Sequence, residues 1–177
     1  MKRKFVVVFI SVISVVAFAG SDAWAKKPES HPGLYEGKAP RVAADALGDI
    51  GLGQAGKGTW QRIRVGRVFY LSGQKEKGQA IFDAILGAKP DAGDWIRIGR
   101  VYYEAGEWAE AREIFERVLD LKPNDADWLA EIGAYFNLQG DRERAEELFR
   151  RSFDDEPSNH RNTAYVAGSY VGIVPDP

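Results

Sequence analysis

The chain has 177 residues, a formal net charge of −2 and no cysteine. The lack of cysteine excludes disulfide bonds, thiolate metal sites and a lipoprotein anchor, which requires a cysteine at its cleavage site. A nearly neutral charge balance gives no general attraction to nucleic acid or to an anionic membrane. The 45% apolar and 28% charged residues are typical of one globular domain.

Residues 1–25 have the features of a secretory signal peptide. A basic head precedes a mostly apolar run from Phe5 to Ala19, and the small residues Ala23 and Ala25 lie at the expected cleavage site. The run is shorter than the roughly 20 residues that a membrane-spanning helix needs. We therefore predict cleavage after Ala25, a periplasmic or secreted location and no stable membrane anchor afterwards. Cleavage after Ala19 and an uncleaved anchor are the alternatives.

Residues 26–58 contain seven glycines and three prolines, and only the segment RVAADAL has a helical pattern. This composition predicts an extended or mobile amino-terminal arm. Within it, GLGQAGKGT satisfies the G-x-G-x-x-G pattern and nearly satisfies that of a phosphate loop. No predicted strand precedes it to aim such a loop, so we interpret the segment as a flexible linker and predict no cofactor.

Three similar segments follow one another at a fixed distance. IRVGRVFYLSGQ begins at Ile63, IRIGRVYYEAGE begins 33 residues later, and the more divergent AEIGAYFNLQGD begins after a further 34. Glycines and closing prolines keep the same spacing, at Gly66, Gly99 and Gly133 and at Pro90, Pro123 and Pro157. Repeats of this length are supersecondary units that bury their apolar faces against one another. We place the units at residues 59–91, 92–125 and 126–159.

Each unit has two apolar stripes with helical spacing, separated by a glycine. In the second unit, the first stripe consists of Trp95, Ile98, Gly99 and Tyr102. After Gly106 the second stripe consists of Ala111, Ile114, Phe115 and Val118, and Pro123 ends it. The pattern predicts two antiparallel helices joined by a tight turn. Val166 and Tyr170 continue the first stripe after the third unit, so residues 160–177 are predicted to be a capping helix and tail.

This pattern resembles the tetratricopeptide repeat family. The family's sequence of an aromatic residue, a Leu-Gly pair, Tyr, Ala, Phe and a closing Pro is kept best at Trp95, Ile98, Gly99, Tyr102, Ala111, Phe115 and Pro123. The resemblance covers Thr59 to about Asn159. It implies an all-α fold: a right-handed superhelical array of antiparallel helix pairs (a solenoid) with three repeats and a carboxy-terminal capping helix. Small residues at the three repeated glycines are expected to let the two helices of a unit approach closely.

The resemblance also implies a concave groove lined by the first helices, where a partner's peptide lies. The implied lining residues are Ile63, Arg64, Arg67, Tyr70, Ile96, Arg97, Arg100, Tyr103 and Asn137. Stacked arginines repel one another unless an anion is present, and Arg with Tyr is enriched at binding hot spots. We therefore predict a protein-binding scaffold that accepts a carboxylate-bearing segment of another envelope protein.

Two alternatives to this groove stay open. The units could be alike through duplication alone, with the isoleucines and tyrosines packing between units. In the other alternative, Arg67 and Arg100 hold an anionic polysaccharide or cell-wall fragment, and Tyr70 and Tyr103 stack on its sugars. Self-association through Val166 and Tyr170 also stays open.

We expect neither a catalytic site nor a metal site. Asp154, Asp155 and Glu156 are consecutive, so their carboxylates diverge on a helix, whereas calcium needs six or more converging oxygens. His31 and His160 are far apart and lack the neighbours that a zinc site or a catalytic triad requires. No nucleophile, base and orienting group occur together, so the expected protein is not an enzyme.

Overall fold

The computed structural model describes residues 32–176, and the regular elements within this range are all helices. They are α1 (Pro32–Tyr35), α2 (Pro40–Ala55), α3 (Thr59–Leu71), α4 (Lys75–Leu86), α5 (Ala92–Glu104), α6 (Trp108–Leu121), α7 (Ala126–Leu138), α8 (Arg142–Asp155) and α9 (His160–Ser169). In this part of the chain no helix combines the length and the apolar character needed to cross a membrane. The predicted signal peptide and His31 lie outside the described residues.

The helices α3 to α8 form three consecutive pairs, α3 with α4, α5 with α6 and α7 with α8. The helices of each pair are joined by a tight turn, and a glycine of that turn has a left-handed φ: 90° at Gly73, 78° at Gly106 and 86° at Gly140. Glycine adopts this conformation without the steric penalty of a side chain. The repeated glycines therefore allow the chain to reverse direction between the two helices of each pair. The predicted helical solenoid is confirmed.

Close contact within each pair depends on the other set of repeated glycines, as predicted. A Cβ atom placed on Gly99 would lie 2.6 Å from Cε1 of Phe115, and one on Gly133 would lie 2.7 Å from Cε1 of Phe149. The first pair is tighter still, because a Cβ on Gly78 would lie 2.7 Å from the carbonyl oxygen of Gly66. The second helix therefore packs directly on the backbone of the first.

Short polar side chains begin several helices by accepting hydrogen bonds from free backbone N–H groups. Asp91 accepts a bond of 2.8 Å from the backbone N–H of Asp94, whose own carboxylate accepts from the backbone N–H of Asp91. Asp125 and Asp141 begin α7 and α8 in a similar way. Asp91 and Asp125 are equivalent residues of successive units, so these two caps begin the first helix at the same repeat position.

The expectation of an extended or mobile arm is wrong for residues 32–58, because α2 is a helix of 16 residues. Pro40 suits the first helical position, where its φ is preset and no N–H is needed. The glycines, which we had read as helix breakers, lie where α2 packs on α3. A Cβ on Gly48 would lie 2.6 Å from the ring of Phe69, and one on Gly51 would lie 3.2 Å from Val65. Tertiary packing thus overrides the low helix propensity of glycine.

This helix also decides the interpretation of GLGQAGKGT. Residues 51–55 of that segment belong to α2, which ends at Ala55, and no strand precedes them in the described range. The backbone N–H groups of a helix interior are bonded within the helix and cannot cradle a phosphate. The segment is therefore neither a phosphate loop nor the flexible linker that we predicted.

The capping helix α9 packs against α7. Asn137 donates a hydrogen bond of 2.9 Å to Oγ of Ser169, and Arg161 pairs with Asp127. The tail then turns back, because the hydroxyl of Tyr165 donates a bond of 2.8 Å to the carbonyl oxygen of Asp176. The first helix of the third pair is thus covered on its outer side.

Candidate protein-binding surface

One row of side chains along α3 remains open to solvent, and we call it the α3 stripe. Its apolar members are Trp60, Val68 and Leu71, which are 48%, 42% and 37% exposed. Its two arginines are also exposed. The full stripe consists of Trp60, Arg64, Arg67, Val68 and Leu71. The spacing of 4, 7, 8 and 11 residues from the first member places all five on one face of the helix.

Arg67 on this stripe is paired with a carboxylate from the next unit. Its Nε donates a hydrogen bond of 2.6 Å to Oε2 of Glu104, and a second N–H contacts Oε1. The two side chains are 49% and 43% exposed. Because an exposed ion pair contributes little net stability, a carboxylate from a partner can replace Glu104 at small cost.

Trp60 is joined to the second unit by a cation–π contact. The guanidinium carbon of Arg97 lies 3.5 Å from the ring centroid of Trp60, and Nη1 of Arg97 donates a bond of 2.6 Å to the carbonyl oxygen of Gly93. A Cβ on Gly93 would lie 2.8 Å from that Nη1, so glycine leaves the room that the guanidinium occupies. Burial, and then the neighbouring charge of Arg100, lower the pKa of Arg97. The positive potential here favours an anion.

Three predicted groove residues are instead in the hydrophobic core. Ile63 is 3% exposed, Tyr70 is 5% exposed and Ile96 is fully buried. The ring of Tyr70 lies 5.5 Å from that of Tyr102, and its hydroxyl donates to Glu107. The prediction that these three side chains line an open groove is wrong, because they fill the space between successive units. For them, the alternative of packing between units is correct.

Arg100 is also part of the structure between units. It donates two hydrogen bonds of 2.7 Å to the carboxylate of Glu131, and the two side chains are 17% and 4% exposed. Burial raises the pKa of Glu131, and the attraction of Arg100 only partly opposes this. Arg67 and Arg100 therefore each have an internal carboxylate partner, and of the two pairs only that of Arg67 is exposed.

The sequence contains a signal for this pairing that we missed. Glu131 occupies the same repeat position as Arg64 and Arg97, since the intervals are 33 and 34 residues. This change from arginine to glutamate places an acidic side chain in the unit that follows Arg100. Trp60, Val68 and Leu71 were missed for a different reason: helical spacing alone does not show which apolar side chains a neighbouring helix leaves uncovered.

The remaining predicted residues do not form a continuous peptide groove. Tyr103 is half-buried, with its ring 4.7 Å from that of Tyr135 and 6.3 Å from that of Trp108. The amide of Asn137 bonds to the capping helix at Ser169. Tyr70 is thus too buried to offer a ring face to a sugar, and Tyr103 is partly covered. The exposed arginine Arg64 borders an apolar cleft between α2 and α3, lined by Ala44, Leu47, Gly48, Val65 and Val68.

The other polar clusters of the sequence lie on the surface. Asp154, Asp155 and Glu156 are exposed at the end of α8, and His160 is exposed at the start of α9. Across residues 32–176, no three side chains of the metal-binding types converge on one point. In the described residues the α3 stripe is a surface that combines exposed apolar and basic side chains.

The paired helices and the open stripe define an α-helical repeat protein with a surface suited to another protein. Residues 96–160 match the model of the tetratricopeptide repeat family. The fold is similar to that of the crystal structure of MamA, with a TM-score of 0.50 and 16% sequence identity over 74% of this chain and 77% of that chain. No curated protein matches the sequence. Residues 96–160 therefore resemble tetratricopeptide repeats, and members of that family generally serve as scaffolds for protein–protein interaction.

Proposed function

We propose that this protein is an exported scaffold that binds an acidic segment of another envelope protein along the α3 stripe. The observation that carries the proposal is the exposure of this stripe compared with the same positions of the later units. Val68 is 42% exposed, whereas its equivalents Val101 and Tyr135 are 1% and 2% exposed. The first unit thus keeps open an apolar position that the other two units bury.

The composition of the stripe supports a protein partner. Tryptophan and arginine are the residues most enriched at binding hot spots, and exposed apolar neighbours supply area that can be removed from water. A partner's carboxylate that replaced Glu104 on Arg67 would exchange one exposed charge pair for another. The surface can therefore accept an acidic segment with little loss of electrostatic energy.

The second candidate, an anionic polysaccharide or cell-wall fragment, is less well supported. Sugar stacking requires an exposed aromatic face. Tyr70 is buried, Tyr103 is half-buried, and Arg97 lies over one face of the Trp60 ring. The surface offers charge for such a ligand without the aromatic platform that the prediction required.

Export is proposed from the sequence of residues 1–25, with a periplasmic or secreted location after cleavage at Ala25. The mass of the protein isolated from fractionated cells tests this directly. We expect a chain that begins at Lys26 in the periplasmic or extracellular fraction. Recovery of a chain that retains residues 1–25, in the cytoplasmic fraction, would contradict export.

Crosslinking in cells tests the binding surface. A photoreactive amino acid is placed at Leu71 in the stripe or, as a matched control, at Leu121, since these leucines are 37% and 40% exposed. We expect a defined crosslinked product from position 71 and none of the same mass from position 121. Mass spectrometry then identifies the partner and the crosslinked segment, which should be acidic.

Charge reversal connects this product to the arginines. The Arg64→Glu, Arg67→Glu variant should lose the product at position 71. The control variant Arg117→Glu, Lys122→Glu reverses two exposed charges on α6 and its end, and it should keep the product. Circular dichroism checks that both variants fold. Equal products from the two leucines, or a product that survives reversal of the stripe arginines, would refute the proposed site.

A further inference from the structure

The carboxy-terminal end of the solenoid has an exposed apolar face on α9. In the three pairs, the first helix presents a repeated small residue and a repeated aromatic residue to its second helix. Ala167 and Tyr170 occupy these two positions on α9. Phe69 and Phe136 are fully buried at the position of the aromatic residue, whereas Tyr170 is 45% exposed. No helix within residues 32–176 covers this face of α9.

A row of alternating charges lies beside that face on α8. Arg142, Glu146, Arg150 and Asp154 are all exposed and follow one another at intervals of four residues. Tyr170 connects the row to α9, because the guanidinium carbon of Arg142 lies 5.1 Å from its ring centroid and its hydroxyl lies 3.4 Å from Oε1 of Glu146. We call the row and the open face of α9 together the end surface.

The start of the row lies on the α9 side of α8, because Arg142 and Glu146 contact Tyr170. Arg144 on the other side of α8 pairs with Glu116 of α6 at 2.9 Å and with Glu147 at 2.7 Å. The contacts with the previous second helix are therefore made by a different face of α8. The end surface is the continuation of the array, at the place where a further unit would pack.

We propose that the end surface binds the end surface of a second copy of this chain, which forms a two-fold symmetric dimer. The charges along the row are positive, negative, positive and negative. When the row is reversed, each position therefore carries the opposite charge. With two copies of α8 antiparallel, Arg142 of each copy faces Asp154 of the other, and Glu146 faces Arg150. A two-fold interface requires this kind of self-complementarity.

Helix packing geometry allows this arrangement. Side chains four residues apart form a ridge that is inclined to the helix axis, and two such ridges pack together in the commonest class of helix crossing. The charged row is a ridge of this kind. The exposed ring of Tyr170 and the small side chain of Ala167 lie beside it and supply apolar area. The end surface thus combines a complementary polar row with an apolar contact.

Sedimentation of the purified protein at increasing concentration tests the dimer. We expect a monomer–dimer equilibrium for the native protein. Arg142→Glu places like charges opposite each other twice in the symmetric dimer, as does Asp154→Arg, and each variant should raise the dissociation constant by about tenfold or more. The combined variant Arg142→Glu, Asp154→Arg restores opposite charges across the interface, so its dissociation constant should return to nearly that of the native protein.

A mixture of the two single variants gives an independent result. The dimer with one chain of each kind has opposite charges at both Arg142–Asp154 positions, so the mixture should dimerise more tightly than either variant alone. Tyr170→Ser should weaken the dimer without altering the circular dichroism spectrum, because this ring is half-exposed. A native protein that stays monomeric, assemblies larger than a dimer, or a combined variant as weak as the single ones would overturn the proposal.

Discussion

The pair formed by Arg100 and Glu131 leads to a prediction about stability. Replacing Arg100 with methionine keeps a side chain of comparable length but removes both hydrogen bonds of 2.7 Å to the carboxylate. Glu131 is then left with a side chain 4% exposed and without its compensating charge. Removing one partner of a buried ion pair typically destabilises a protein by about 3–5 kcal/mol. We expect a loss of that order at neutral pH.

The loss of stability caused by Arg100→Met should increase with pH. Burial raises the pKa of Glu131 in the folded state, and the loss of Arg100 raises it further. Between the unfolded and the folded pKa the folded state binds more protons, so the free energy of unfolding falls as pH rises through this range. The free energies of unfolding of the variant and the native protein should therefore be closest in acid, below the ordinary pKa of a glutamate. The difference should grow with pH until the folded pKa is passed.

The equivalent residue of the first unit provides a control. Arg67→Met removes an ion pair whose side chains are 49% and 43% exposed, so it should change the free energy of unfolding by at most about 1 kcal/mol. Urea unfolding at several pH values measures both variants. Arg100→Met combined with Glu131→Leu should recover most of the lost stability, because no buried charge remains. Equal losses for the two arginine variants, or a loss at Arg100 that does not vary with pH, would refute this reasoning.

Two further predictions concern local packing and capping. Gly99→Ala should destabilise the protein by about 1–3 kcal/mol, because the new Cβ would lie 2.6 Å from Phe115. Gly53 is a helical glycine with no such neighbour within 4 Å, so Gly53→Ala should be neutral or stabilising by up to about 1 kcal/mol. Thermal unfolding compares the two variants. Equal effects on stability would contradict the packing argument. Asp91→Ala should cost about 1–2 kcal/mol by removing the cap of α5, whereas Asp91→Asn should stay within a few tenths. Urea unfolding measures both, and a loss of the same size for asparagine would show that the cap is not the cause.

The fold was predictable because each unit repeats its own boundary signals. Gly73, Gly106 and Gly140 mark the turn in every pair, and Gly99 and Gly133 mark the close approach of two helices. Three copies in register separate these signals from chance. Helix α2 was not predictable in this way, since its glycines are helix breakers by propensity and become packing residues only when α3 is beside them.

The candidate site was predictable only in part, because the register of the groove positions does not determine their burial. The sequence places Arg67 and Arg100 at equivalent positions, yet Arg67 is exposed and Arg100 is largely buried. Each arginine pairs with a carboxylate of the next unit, but Glu104 is 43% exposed whereas Glu131 is 4% exposed. A contact between units depends on the distance between helices, and a single sequence gives no measure of that distance.

The two proposed interfaces have a common physical origin in the shortness of the array. Val101 in the middle unit is part of the core at 1% exposure, while its equivalent Val68 in the first unit borders the cleft between α2 and α3 and stays 42% exposed. The same reasoning applies at the other end, where Tyr170 is open because no further helix of the described chain packs on α9. Duplication therefore supplies similar side chains to all units, and position in the array decides which of them remain free to bind. The exposed side chains of the α3 stripe and of the end surface lie near the two ends of the three pairs, on α3 and on α8 and α9.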